Sequence, residues 1–461
     1  MFIRFQPRRR PAPPEEGSLF WQMVLWVGVG FLSASIGAMW GLMSQSTPLM
    51  QRSLSANEWR VFQRGDRAAA TLKHPLNLLV IGSKVLTSDL DEPPDPNLTY
   101  HALVNSVEGL SDSLLLVRFD PNHQRLVVLS IPRDTLTFIP GRGDAKINEA
   151  NALGGPALTA ETVSDLLGDV PIDRYLRINV QGIERFIDAL GGVTVDVPQV
   201  MRYRDDSQRL HIDLQPGRQH LNGNQSLQFL RFRYDSLGDI GRVQRQQMFL
   251  RALMEQSARP DTLARIPTIL GIIRENLDTN LSVEELLSLS QFMAQLPRSR
   301  IEFLLLPGDF NGTGELDISY WLPNYRRIAW LSDTYFRDRP TADPRETGLT
   351  QPENVRIALQ NTHLSDTVVE ELSQRLWEAG YRDQFVADPL SQPIEVTRII
   401  AQQGDLAAAR RVQLLLGFGE VRVESTGVLA SDVTIQLGND ARHRLMPMPQ
   451  THQTDMPPSA L

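Results

Sequence analysis

The stretch from Leu19 to Met43, LFWQMVLWVGVGFLSASIGAMWGLM, carries no charge and one glutamine, Gln22. As a helix rising about 1.5 Å per residue, it is long enough for a hydrocarbon core of about 30 Å with some tilt. Trp21 and Trp40 sit near its ends, where interfacial anchors are found. Arg4, Arg8, Arg9 and Arg10 precede it, partly offset by Glu15 and Glu16, and the first charge after it is Arg52. That asymmetry puts the N-terminus in the cytoplasm and everything after Met43 outside. A cleaved signal peptide is the rival reading, but the span exceeds a signal-peptide core and the residues around Ala38 make a poor cleavage site. The expectation is a single-pass cell-membrane protein with a cytoplasmic tail (1–18), a transmembrane helix (19–43) and a large extracytoplasmic region.

A chain of 461 residues has room for two or three domains. Its formal net charge of −8 disfavours general nucleic-acid binding, so any anion site must be a local concentration of arginine. With no cysteine, disulfides, thiolate metal sites and cysteine nucleophiles are excluded. The histidines show no metal-ligand spacing. Nucleophile-elbow, Walker and dinucleotide-binding glycine motifs are absent from the sequence.

After a polar spacer (44–75) with a short helix between Ala56 and Ala70, Leu76 to Gly82 reads as a buried strand. A loop rich in Pro and Asp covers Asp91 to Thr99. Leu114–Phe119 and Arg125–Ile131 are apolar strands joined by the turn signal Asp120-Pro121-Asn122-His123, which predicts an antiparallel hairpin. Gly154-Gly155-Pro156 opens a helix through Leu167. Val180, Ile183, Phe186, Ile187 and Leu190 share one face of the next helix, stopped by Gly191-Gly192. Val193, Val195 and Val197 alternate as a half-exposed strand, and His211–Leu214 is another. Helices over 243–257, 262–276 and 283–296 and a strand from Glu302 to Pro307 complete a mixed-sheet α/β unit of α-β-α layers over 76–335. A proline-bearing linker (336–352) leads to a small α/β module (353–440), with strands at Val355–Asn361, Glu395–Ile400 and Glu420–Val423 and helices at Ser365–Ala379 and Leu406–Leu416. Residues 441–461 have the composition of a disordered tail.

The chemistry concentrates between Leu221 and Gln247. Arg231 and Arg233 alternate with Phe232, so a strand would turn both to one side. Gly238 and Gly241 bracket Asp239 in a turn, and a helix begins near Arg242, followed by Arg245, Gln246 and Gln247. Planar guanidiniums clustered in this way suit a multiply charged phosphate group, although a solvated basic edge has the same composition. Ser111-Asp112-Ser113, Ser130-Ile-Pro-Arg133-Asp134-Thr135 and Lys146-Ile-Asn148 add polar groups at strand ends, where sites gather on α/β scaffolds. Arginine with aspartate points to phosphate or diphosphate, with or without a divalent cation.

These segments, with Leu78-Leu-Val-Ile-Gly82, Ile187-Asp-Ala-Leu-Gly-Gly-Val193, Leu221-Asn-Gly223 and Gly238-Asp-Ile-Gly-Arg242, resemble in content and order the LytR–CpsA–Psr family of cell-wall glycopolymer transferases. The resemblance covers about Asn77 to Gln247, and the C-terminal module resembles the LytR C-terminal domain that often follows this unit. It implies an extracytoplasmic bacterial enzyme that transfers a glycosyl phosphate from a polyprenyl-diphosphate-linked glycan to a hydroxyl of peptidoglycan, with diphosphate cleavage as a side activity. Through it, Arg133, Arg231, Arg233 and Arg242 are assigned to the diphosphate, Asp112 to Mg2+, and Lys84, Lys146, Arg245, Gln246 and Gln247 to substrate binding. Asp134 and Asp239 are either the base for the incoming hydroxyl or carboxylates that hold the arginines. Apolar helix faces, including Phe186 and Ile187, are candidates for a polyprenyl channel and equally for ordinary core. One departure bears on the metal. The family often has an aspartate after the first strand's glycine, where this chain has Gly82-Ser83-Lys84. A lysine cannot bind Mg2+ but adds charge for the diphosphate, and Asp89 is the nearby acidic alternative. A non-catalytic module that holds lipid-linked diphosphates is the second reading.

Overall fold

The computed structural model describes residues 54–62, 72–83, 109–205, 210–232, 238–257, 277–297, 300–311, 320–337, 351–361, 364–390 and 393–445. The expected transmembrane span, Lys84, Asp89, the 91–99 loop, Arg233, the helix over 262–276 and the C-terminal tail from 446 lie outside these residues, as do the side chains of Asp239 and Arg242. Among the described residues no helix is long and apolar enough to cross a membrane.

Helix α1 (Ala56–Phe62) precedes strand β1 (Leu76–Ser83). Strands β2 (Ser111–Asp120) and β3 (Arg125–Ile131) form the expected hairpin, in antiparallel register Leu114↔Ile131. A small ribbon of β4 (Leu136–Ile139) and β5 (Gly143–Lys146) follows. Helix α2 runs Glu149–Leu166 and is kinked at Gly154 and Gly155. The backbone leaves helical geometry at both glycines, with Gly155 at φ 64° and ψ −152°, so the expected helix does start at Gly154-Gly155-Pro156, after a short helical turn from Glu149. Next come β6 (Arg174–Asn179), α3 (Val180–Leu190) and the strands β7 (Val193–Val197), β8 (Met201–Asp205), β9 (Leu210–Leu214) and β10 (Gly217–Leu221). Helices α4 (Gly223–Arg231) and α5 (Gly238–Ser257) lead to β11 (Leu277–Thr279), α6 (Val283–Gln295) and β12 (Ile301–Leu305). Strands β13 (Gly308–Phe310) and β14 (Trp321–Pro323) and helix α7 (Tyr325–Tyr335) close the unit.

The central sheet has six strands in the order β11-β6-β1-β2-β3-β12. It is mixed: β1–β2, β2–β3 and β6–β11 are antiparallel, β1–β6 and β3–β12 parallel. Alternate residues serve opposite faces. Leu79, Ile81, Leu116 and Leu129 pack with Ala160, Val163 and Leu166 of α2 and Ile328 and Leu331 of α7. Leu78, Val117, Phe119 and Val128 face Leu250 and Met254 of α5 and Leu289 of α6. Both faces are covered by helices, which is the expected α-β-α layering. A second, smaller core joins Ile187 of α3, Val193, Val195 and Val197 of β7, Leu221, Phe229 of α4, and Phe232 and Phe249. Ile187 is fully buried there as ordinary core.

The C-terminal unit is a five-stranded sheet, β16-β15-β19-β17-β18, from β15 (Ile357–Gln360), β16 (Gln384–Val386), β17 (Arg398–Ala401), β18 (Glu420–Val423) and β19 (Val433–Gln436). It carries α8 (Asp366–Glu378), α9 (Leu406–Leu416) and α10 (Asp440–Leu445), and since Ala441 and Leu445 of α10 are buried, residues 441–445 of the expected disordered tail are instead a packed helix. Its core runs continuously into that of the first unit, and Phe336, the first residue of the expected linker, is fully buried within it.

Candidate functional site

The hairpin creates the centre of the site. In its register the start of β2 lies opposite the end of β3, so Asp112 and Arg133, 21 residues apart in sequence, meet across the two strands. Arg133 Nη1 donates to Asp112 Oδ1 at 2.7 Å and Arg133 Nε to Asp134 Oδ2 at 3.2 Å. Lys146 Nζ donates to Asp134 Oδ1 at 2.7 Å and lies 5.4 Å from the centroid of the Tyr320 ring. The result is a row of alternating charge, Asp112–Arg133–Asp134–Lys146. Asp134 is the most covered, at 10% side-chain exposure, while Arg133 at 22% and Lys146 at 26% keep access to solvent.

Backbone bonds hold the row in place. A turn in which Thr135 N and Oγ1 both donate to Pro132 O fixes the segment that carries Arg133. Asn148 N donates to Arg133 O at 3.2 Å, and Ser111 N donates to Asn148 O at 3.2 Å. The Lys146-Ile147-Asn148 segment thus ties both sides of the hairpin end together. Trp321 N donates to Asp134 O at 2.9 Å from β14.

The segment expected as an arginine-bearing strand is instead the end of a helix. Asn222 caps α4 with a full capping box to Gln225, and the helix runs through Arg231 before Phe232 turns to extended geometry and is buried. The local alternation of Arg231 and Phe232 is outweighed by the cap, a strong start signal readable as Asn-x-x-Gln. Gly223 is required at this start. A Cβ there would lie 2.3 Å from Glu184 O of α3, and the Gly223 amide donates to Asp188 Oδ1 at 2.7 Å. Helix α5 begins at Gly238, so Asp239 and Arg242 both lie in its opening turns rather than in a preceding loop.

The other residues assigned to substrate binding divide in two. Gln246 reaches the row: its Nε2 donates to Ser113 Oγ at 3.3 Å, next to Asp112. Arg245 is buried, donates from Nη2 to Phe232 O and lies 5.5 Å from the Phe232 ring, so it holds the backbone beside Arg231. Gln247 is also buried; its Nε2 donates to Leu304 O at 3.4 Å and its Oε1 accepts from Ser425 N of the C-terminal unit at 3.1 Å. Both are turned to main-chain groups. Sequence reasoning named Ser113 only as part of the Ser111–Ser113 segment, and passed over Tyr320 and the buried ion pair of Arg177 with Asp278 Oδ2 at 2.5 Å within the same sheet. An arginine between Leu176 and Ile178 was the available signal for that pair.

Among the described residues, no group of three or more acidic or histidine side chains converges as a metal site. Mg2+ typically takes one or two carboxylates and completes its shell with water and substrate phosphates. Asp112, with its side chain 28% exposed beside Arg133, fits that single-carboxylate role.

A model of the LytR_cpsA_psr family matches residues 48–335, and one described as LytR cell envelope-related transcriptional attenuator matches residues 354–440. The chain is 34% identical over 234 residues to the polyisoprenyl-teichoic acid–peptidoglycan teichoic acid transferase TagV of Bacillus subtilis, covering 49% of this chain and 59% of that protein. It is 37% identical over 191 residues to TagU, a transferase of the same description from Oceanobacillus iheyensis, covering 39% of this chain and 57% of that protein. The chain thus spans less than two thirds of the length of these two curated relatives. The crystal structure of B. subtilis TagV aligns at 29% identity and a TM-score of 0.47, covering 57% of this chain and 98% of that one.

Proposed function

This chain belongs to the LytR–CpsA–Psr family, and on that premise we propose that it transfers a glycosyl phosphate from a polyprenyl-diphosphate-linked glycan to a hydroxyl of peptidoglycan. The acceptor oxygen bonds to the sugar-proximal phosphorus. The bridging phosphorus–oxygen bond breaks, polyprenyl phosphate leaves with the electron pair, and the hydroxyl loses its proton. Charge grows on the phosphoryl oxygens and the leaving oxygen, and preorganised guanidiniums stabilise it.

The observation that carries this reading is the fork in which Arg133 is held by Asp112 and Asp134 with Lys146 alongside. Two cations fixed at strand ends suit a diphosphate. Arg231, Arg233 and Arg242 complete the cationic set in this reading. Asp134 has both oxygens occupied by cations, which favours the role of holding Arg133 and Lys146 over taking a proton. Asp239 is then the acidic candidate for the proton. Mg2+ belongs to the proposal at Asp112, where it would neutralise diphosphate charge when bound. Arg245 and Gln247 serve as supports of the arginine-bearing segments, while Gln246 stays with the substrate-facing row. Leu19–Met43 anchors the chain with its bulk outside the cell membrane, so the full chain should stay with membranes through an alkaline wash.

The test is turnover by the full chain in detergent, given a polyprenyl-diphosphate-linked glycan and peptidoglycan, with and without Mg2+. Glycan joined to peptidoglycan together with released polyprenyl phosphate is the expected result. Binding of the donor with neither transfer nor diphosphate cleavage would overturn the enzymatic reading in favour of a holding module.

A further inference from the structure

Helix α5 is held on three sides, and one of them is the C-terminal unit. Gln246, Leu250 and Met254 face the central sheet, with Gln246 on Ser113. Arg245, Phe249 and Leu253 face the second core, with Arg245 on the Phe232 carbonyl. Gln244, Gln247 and Arg251, spaced as one stripe of a helix, meet the segment that follows β18. Gln244 Nε2 donates to Gly427 O at 2.7 Å, and Ser425 N donates to Gln247 Oε1 at 3.1 Å. Arg251 is ion-paired with Glu424, whose side chain is 4% exposed, and its guanidinium lies 5.1 Å from the Phe303 ring.

That segment is itself fixed within the C-terminal unit. Gly427 N donates to Gln402 Oε1 at 3.0 Å, Ser425 Oγ donates to Gln402 O at 3.2 Å, and Thr426 Oγ1 donates to Glu424 Oε1 at 2.8 Å. The grip matters because α5 opens with Gly238-Asp-Ile-Gly241, a weak helical start that carries little rigidity of its own. All three stripes belong to one helix and turn with it. A rotation that freed Gln244, Gln247 and Arg251 would swing Gln246 off Ser113 and Arg245 off Phe232.

We propose that the C-terminal unit is a positioning clamp for the transfer site, with Glu424 and Ser425 as positioning residues that set the rotation of α5. Through that helix they fix Gln246 on Ser113, beside the Asp112–Arg133 row, and Arg245 on the Phe232 carbonyl. The inference rests on the transferase reading only for what the clamp serves; the clamp itself is a statement about α5.

The experiment compares the full chain with Glu424→Arg, Arg251→Glu, the double charge swap and the isosteric Glu424→Gln. Amide hydrogen exchange over residues 238–247 is measured beside steady-state transfer, with circular dichroism to establish folding. In the folded single variants exchange over 238–247 should rise about tenfold or more. kcat should fall about 10- to 100-fold while KM for the lipid-linked donor stays within about threefold. The double swap should restore both. Wild-type exchange over 238–247 in folded Glu424→Arg or Glu424→Gln would overturn the clamp, as would faster exchange with unchanged kcat. Absence of transfer by the wild-type chain would overturn the transferase reading alone, since the exchange rates need no turnover to decide the clamp.

Discussion

Arg133 stands between two carboxylates, and the geometry asks for its planar fork. Nη1 reaches Asp112 and Nε reaches Asp134 from one rigid group. Lysine keeps the charge but has a single tetrahedral head that cannot span both partners in that arrangement. Arg133→Lys should therefore fold with a near-native melting temperature yet lose transfer by about 10²- to 10³-fold, the range for removal of one preorganised donor. Transfer at the wild-type rate would show that charge alone suffices and that the fork is only structural. Arg245 and Gln247 show why residue roles were harder to read than residue types. Their position beside the arginine cluster suggested the substrate, whereas their partners are carbonyls and an amide 13 to 178 residues away. A sequence motif records that a side chain is polar at a given spacing. It does not record which of its neighbours is buried with it.

At the scale of the element, the β2–β3 hairpin carries the site, and its turn lies at the far end from the chemistry. Asp120 closes that turn: its Oδ2 accepts from His123 Nδ1 at 2.8 Å and from Arg125 Nε at 3.1 Å, and its Oδ1 from His123 N at 3.2 Å. Burial opposes its charge, yet these bonds from His123 and Arg125 hold its carboxyl below the usual carboxylate range. A lowered folded-state value means that the ionised group stabilises the fold above its unfolded-state value, and that this contribution is lost as pH falls through the folded value. Asp120→Asn should cost about 1–3 kcal/mol at neutral pH. The gap from wild type should close as pH drops below about 4. Urea unfolding at several pH values measures it, and a gap that persists in acid would mean the loss is steric. This hairpin was legible because its two strands are continuous apolar runs around a local turn signal. Strand β6 was not, because arginines interrupt its pattern: Arg177 is buried against Asp278, 101 residues away, and Asn151. The helical end at Arg231 was legible in principle from the Asn222–Gln225 box and was masked by a short alternation.

For the whole molecule the chief departure from expectation is that the two units are joined through their cores and not only by a linker. Helix α7 carries one part of the joint, beside the α5 contacts. Arg327 Nη1 pairs with Asp432 Oδ1 at 2.6 Å, and Tyr335 Oη donates to Gly404 O at 2.6 Å. No local pattern announces such a contact, since each partner reads as an ordinary surface or core residue of its own unit. Gly404 packs tightly against the first unit. Its φ is +89°, and a Cβ would lie 3.0 Å from Leu304 Cδ2 and 3.2 Å from Tyr335 Cε2. Valine there adds a left-handed backbone penalty of about 1–2 kcal/mol. Overpacking adds about 1–3 kcal/mol more. Both costs fall on the joint rather than on the interior of either sheet. If the joint is part of one cooperative core, calorimetry of the wild type should give a single unfolding transition for the two units together. Gly404→Val should then lower that transition as a whole or split it, with the C-terminal unit melting first. Two well-separated transitions in the wild type, or a Gly404→Val variant that melts unchanged, would show that the units fold independently and merely touch.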